Sequence, residues 1–228
     1  ISDPRNTLYH DMLDIVKEVK PDFIVMENVV GITTIFNGKV LGKILKDYRE
    51  IGYKISYKEI NAANYEVPQT RKRIIFIANR VNKQNIYPSS IIKEEKDFVP
   101  CGAVLEKYKK LKEDNSFNHI FSKHSKEMQQ KLLNVPIGQS LYNNYNDSWK
   151  KCSKDLPSCT IKGNHGATNI HYELPRVITP REMAAIQSFP DDFIFYGPKQ
   201  SQLIQIGNAV PPYVARDIAI ALKDEILK

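Results

Sequence analysis

Between Leu8 and Ala78 the hydrophobic pattern changes period repeatedly, and this alternation limits the fold more than any single residue does. Leu8, Met12, Ile15, Val16 and Val19 recur at helical spacing and predict an amphipathic helix with one apolar face. After the Pro21-Asp22 break, Phe23 to Met26 form a short apolar run that reads as a buried strand. Val40, Leu41, Ile44, Leu45, Tyr48 and Ile51 stripe a second helix, which Gly52 closes because glycine accepts a left-handed backbone just past a helix end. Tyr53, Ile55 and Tyr57 alternate as a strand, and Arg73 to Ala78 give another. Helix, strand, helix, strand, loop, strand is the order of an open α/β sheet. In such a sheet a ligand sits outside the carboxyl ends of the parallel strands, which is where Glu27 and Asn28 fall.

From residue 81 to 178 the character changes. Tyr, Asn, Lys and Ser rise, Pro88, Pro100, Pro136, Pro157 and Pro175 interrupt the chain, and one helix is expected near Ser125 to Asn134. Thr179-Pro180-Arg181-Glu182 then has the form of a capping box with proline at the first helical position, so a helix starts there and stops before Pro190. A last helix begins at Pro211-Pro212. The expected division is an α/β domain over 1–80, a loop-rich domain over 81–178 and closing helices over 179–228.

The net charge of +7 favours an anionic partner, because a positive field concentrates phosphates near the surface. No apolar run approaches the ~20 residues needed to cross a bilayer, so no membrane partner is expected. Three cysteines, Cys101, Cys152 and Cys159, without a signal-peptide pattern, point to a reducing, cytoplasmic setting rather than a disulfide framework. Cys152, Cys159, His165 and His171 lack the short Cys-x₂₋₄-Cys spacing of structural zinc sites, so no metal is expected.

Two stretches carry chemistry. An apolar run that stops on Glu27-Asn28 places an acid and an amide at the mouth of a sheet. In Gln69-x-Arg71-x-Arg73 the spacing of two puts all three side chains on one face of an extended backbone, where a guanidinium can pair with the acid or hold a ligand oxygen. The loop Thr160-Ile161-Lys162-Gly163-Asn164-His165-Gly166 mixes a hydroxyl, donors and glycines suited to phosphate and base-edge contacts.

These residues resemble the DNA cytosine-C5 methyltransferases. Glu27-Asn28-Val29 with Gly31 is similar to the family's ENV motif, and Gln69-x-Arg71-x-Arg73 to its QxRxR motif. Arg176-x-x-Thr179-Pro180-Arg181-Glu182 with Gln187-Ser188-Phe189-Pro190 resembles the ninth motif, and Gln205-Ile206-Gly207-Asn208-Ala209-Val210-Pro211 the tenth. The resemblance implies the C-terminal part of a Rossmann-like methyltransferase sheet plus a smaller target recognition domain between the second and third of these motifs. It implies S-adenosyl-L-methionine as methyl donor, contacted by Asn208, Ala209 and Val210, and double-stranded DNA as substrate, with the target cytosine flipped from the stack. It assigns the acid role to Glu27 and the cytosine O2 to Arg73, with Arg71 near the backbone or the catalytic loop, and DNA contacts to Thr160, Lys162, Asn164 and His165. The family's glycine-rich loop and Pro-Cys nucleophile would lie upstream of Ile1, and Asp3-Pro4-Arg5-Asn6 resembles the family's residues shortly after that Pro-Cys. An N-terminal half, from the same gene or a separate subunit, is therefore expected as partner, in a bacterial restriction-modification system. Pro100-Cys101 falls inside the variable region and reads as packing. A non-catalytic, sequence-specific DNA-binding module of the same descent is the alternative.

Overall fold

The structure, a computed structural model, describes residues 8–142, 149–163 and 169–226. The readings placed on Asp3-Pro4-Arg5-Asn6, Asn164, His165 and Gly166 lie outside them. Contacts gather the chain into two compact units, one from 1–60, 72–89 and 217–228, the other from 61–71 and 90–216. The units do not follow the sequence segments 1–80, 81–178 and 179–228. A chain that leaves a sheet, pairs elsewhere and returns divides by its contacts, not by its order.

In the first unit, α1 (Leu8–Val19) leads into β1 (Phe23–Val29), which is followed by α2 (Lys39–Glu50), β2 (Lys54–Asn61) and β3 (Lys72–Asn79). The order across the sheet is β1-β3-β2. Gly52 takes φ +89°, the left-handed value that ends α2 as its position suggests. Leu13 and Val16 of α1, Leu41, Ile44 and Tyr48 of α2, and Ile24, Ile55, Ile74, Phe76 and Ala78 of the strands bury one core. Two expectations need correction. β1 and β3 run antiparallel, with Glu27 opposite Ile75 and Val29 opposite Arg73, so the amino end of β3 lies beside the carboxyl end of β1. The apolar residues of α1 do not share one covered face either: Val16 is buried, whereas Leu8, Ile15 and Val19 are exposed.

In the second unit, α3 (Gly102–Leu105), α4 (Lys126–Asn134), α5 (Pro180–Ile186) and α6 (Lys199–Asn208) are set among long irregular segments; the last helix, α7 (Pro212–Ile226), begins in this unit and ends in the first. All of α5 is buried. The capping box forms, with Glu182 N–H donating to the Thr179 hydroxyl at 3.2 Å and Thr179 N–H to the Glu182 carboxylate at 2.8 Å. Arg176 grips the same carboxylate through both terminal nitrogens at 2.7 Å. Burial pushes the Glu182 carboxyl up, but the Arg176 hydrogen bonds and charge outweigh it and hold the group below its usual range. Arg181, also fully buried, commits its guanidinium to the carbonyls of Phe117, Pro190 and Phe193. The third motif is thus a polar framework that anchors irregular chain. Among the described residues no helix is long and apolar enough to cross a membrane.

His171 sits in the field of this framework, fully buried, with Nδ1 accepting the N–H groups of Glu173 and Leu174 at 3.1 Å. Burial lowers its pKa to about 4. The unfolded chain takes up a proton near pH 6.5 while the folded imidazole stays neutral. Stability is therefore full above about pH 6.5 and falls as pH drops toward 4, by up to ~3 kcal/mol from this group. Urea midpoints measured across that window should fall, and His171→Gln should flatten the profile.

Candidate functional site

Antiparallel pairing builds the acid-base pair. Residues opposite one another in such a ladder share a face, so Glu27, Ile75, Val29 and Arg73 project together, and Glu27 and Arg73 are diagonal neighbours within reach of long side chains. Arg73 Nε lies 2.8 Å from Glu27 Oε1, and another of its nitrogens donates to the Lys72 carbonyl at 2.8 Å. The Glu27 and Arg73 side chains keep 27% and 18% of their surface exposed, so a ligand can reach them. Asn28 turns its amide oxygen to the Val29 N–H (2.8 Å), where the strand gives way to the helical turn Val30–Thr33. A carboxyl and a guanidinium on one face form a donor and acceptor set that matches the amide-like edge of a heterocycle.

Arg71 belongs to a different arrangement, within the second unit. Its guanidinium donates to the carbonyls of Ile161 (3.2 Å) and Gly207 (3.0 Å). Gln69 accepts from Ile161 N–H (2.8 Å) and donates to the Gln187 side chain (2.8 Å), which in turn donates to the Ile206 carbonyl (2.8 Å). A Cβ on Gly163 would lie 2.3 Å from the Leu203 carbonyl oxygen, and one on Gly207 would lie 2.2 Å from Gly163 N, so neither site has room for a side chain. Gly163 is therefore a close-approach glycine rather than a flexible one. Three motifs far apart in sequence hold each other here, an arrangement that the spacing of Gln69, Arg71 and Arg73 did not predict.

The Thr160 hydroxyl donates to the Thr70 carbonyl at 2.8 Å, beside a cavity of about 430 Å³ that Ser158, Cys159 and Asn169 also line. Lys162 is half-buried. Asn208 is exposed at the end of α6, with Ala209 and Val210 half-buried after it. No thiol is set up as a nucleophile. Cys101 is fully buried and its thiol donates to the Ser153 carbonyl at 2.9 Å. A hydrogen bond with Cys101 and burial push the Cys152 thiol up, and burial does the same for Cys159. Among the described residues no three His, Cys, Asp or Glu side chains group as metal ligands.

Comparison with known proteins places these features in company. The family model for C-5 cytosine-specific DNA methylase matches residues 1–224. The type II methyltransferase M1.HphI of Haemophilus parahaemolyticus is 36% identical over 233 residues, covering 96% of this chain and 61% of the relative. M.DdeI of Desulfomicrobium norvegicum is 30% identical, covering 95% of this chain and 66% of the relative. The chain thus spans about three fifths to two thirds of the length of these relatives. In fold it is similar to an Escherichia coli prophage-encoded chain described as a DNA modification methyltransferase, with TM-score 0.79, 24% identity and coverage of 99% and 76%.

Proposed function

We propose, since the chain belongs to the C-5 cytosine-specific DNA methylase family, that it supplies the base-handling acid and the DNA-recognition elements of a DNA cytosine-C5 methyltransferase in a restriction-modification system. The observation that carries this reading is the Glu27–Arg73 pair, held at 2.8 Å on an accessible strand end. Cytosine is a poor electrophile at C6, so addition of a thiolate there requires the ring to accept negative charge. Glu27 shares a proton with the N3 and amine edge, and Arg73 holds the O2. Gln69 and Arg71 are positioning residues that fix the segments around Ile161 and Gly207.

The base must leave the duplex for this chemistry. The unit of 61–71 and 90–216 grips the DNA through Thr160 and Lys162, with Asn164 and His165 assigned the same task by their place in the motif. The exposed Asn208 amide and the partly exposed Ala209 and Val210 fit one edge of S-adenosyl-L-methionine, a molecule with both polar and apolar surface. When bound, that cofactor supplies the methyl group. The thiol comes from a second polypeptide segment, because Cys101, Cys152 and Cys159 are buried or hold their protons. The same buried thiols favour the other reading, a DNA-binding module without catalysis.

Bisulfite sequencing separates the two. Cells carrying the complete system should show 5-methylcytosine in one duplex sequence context, and interruption of this chain should abolish it. Unchanged methylation after interruption would leave only the binding module.

A further inference from the structure

α5 ends in a way that glycine would manage with less strain. Ser188 N–H donates to the Ala185 carbonyl and Phe189 N–H to the Ala184 carbonyl, both at 2.9 Å, the paired bonds of a Schellman motif, in which the residue just past the helix turns left-handed. Ser188 fills that place at φ +64°, where a side chain brings a strain that glycine avoids. The hydroxyl gives the strain a use, since its oxygen accepts the Tyr213 N–H at 3.2 Å. Pro211 and Pro212 have no N–H, so Tyr213 offers the first backbone donor of α7, in the turn where a helix supplies no acceptor of its own.

Gln187, fully buried beside it, holds the other end of the same segment. Gln69 sets the orientation of its amide by donating to Oε1 at 2.8 Å, so Gln187 Nε2 faces the carbonyls of Ile206 at 2.8 Å and Ala209 at 3.5 Å. Arg71 holds the Gly207 carbonyl between them. Within the turn, Ala209 N–H reaches the Ile206 carbonyl at 3.3 Å, a longer bond than the one Gln187 makes to the same oxygen. The shape of the turn is therefore imposed largely from outside it. With its carbonyls drawn inward, Asn208 is left exposed and Ala209 and Val210 half-buried.

We propose that Gln187 and Ser188 are positioning residues for the methyl donor, a clamp that grips residues 206–213 at both ends and presents Asn208, Ala209 and Val210 in the shape that receives it; this rests on the function proposed above. Both act through the turn, since Gln187 is fully buried and Ser188 nearly so. Holding the turn before the donor arrives removes an ordering cost that binding would otherwise bear. The strain at Ser188 then marks a place where fold stability is given up for a binding shape.

The test sets stability against affinity in the assembled enzyme. Ser188→Gly removes the strain and the hydroxyl together, so its thermal midpoint should stay within about 3 °C of the parent's. Its affinity for S-adenosyl-L-homocysteine, the donor without its methyl group, should fall about tenfold by calorimetry, the upper range for one hydrogen bond. Amides of residues 206–213 should exchange at least about fivefold faster by mass spectrometry, with duplex affinity within about twofold of the parent's. Ser188→Ala keeps the strain and loses the same bond, so it should be the less stable of the two with the same loss of donor affinity. Gln187→Met keeps the length and loses both carbonyl bonds, and should bind the analogue at least about tenfold more weakly; should it fail to fold, the serine variants decide. Parental affinity of Ser188→Gly, with or without faster exchange, would overturn the clamp, as would a loss of affinity that follows the thermal midpoint across the variants. A parent that binds no analogue would instead remove the donor reading on which the clamp rests.

Discussion

Glu27→Gln in the assembled enzyme is expected to lower the methylation rate by about two orders of magnitude or more while duplex binding survives. The size comes from the role. Glutamine keeps the shape and can still accept a hydrogen bond, but it cannot give a proton to the ring as negative charge develops. What makes the experiment clean is the geometry of the pair. A fully buried ion pair broken on one side costs about 3–5 kcal/mol, enough to unfold a marginal domain. Glu27 and Arg73 retain 27% and 18% of their side-chain surface, and pairs this open contribute at most about 1 kcal/mol. The variant should therefore fold, with unchanged circular dichroism, and its loss should appear in single-turnover rate rather than in DNA affinity. A rate within threefold of the parent, in a folded variant, would strip Glu27 of the acid role.

Much of the local structure was legible in the sequence because it depends on local chemistry. The Thr179–Glu182 capping box, the left-handed Gly52 and the start of α7 at Pro212 each arise from one or two residues and their neighbours. The pairing direction of β1 and β3 was not legible. Apolar runs such as Phe23 to Met26 and Ile74 to Ala78 read the same whichever way a neighbour runs, and only long-range contacts decide. The correction strengthens the site, since antiparallel pairing is what brings Arg73 to Glu27. The split between Arg71 and Arg73 was hidden for a related reason. Period two places both on one face only while the strand continues, and β3 begins at Lys72, with Gln69 and Arg71 bound instead to Ile161 and Gly207. The uncovered side of α1 was not legible either, since the exposed Leu8, Ile15 and Val19 are apolar like the buried Leu13 and Val16.

The second large effect concerns the thiol. The chain without a completing segment should transfer no methyl group, and with one it should transfer at the parental rate even after Cys101→Ala, Cys152→Ala and Cys159→Ser together. C5 of cytosine becomes nucleophilic only once a thiolate has bonded to C6, and electrostatic help from Glu27 and Arg73 cannot stand in for that bond. The thiols of this chain are poorly placed to supply it. Cys101 is fully buried with its proton on the Ser153 carbonyl, and the thiols of Cys152 and Cys159 are pushed up, which leaves little thiolate at neutral pH. Alanine removes the sulfur at the two buried sites without placing a new hydroxyl beside the apolar cluster that surrounds them. Transfer of tritiated methyl groups into duplex DNA, combined with trapping by a cytosine analogue that cannot release the enzyme, reads both halves of the prediction. The covalent adduct should form on the completing segment. Activity of the chain alone, lost on Cys101→Ala with the fold intact by circular dichroism, would move the nucleophile into the recognition unit.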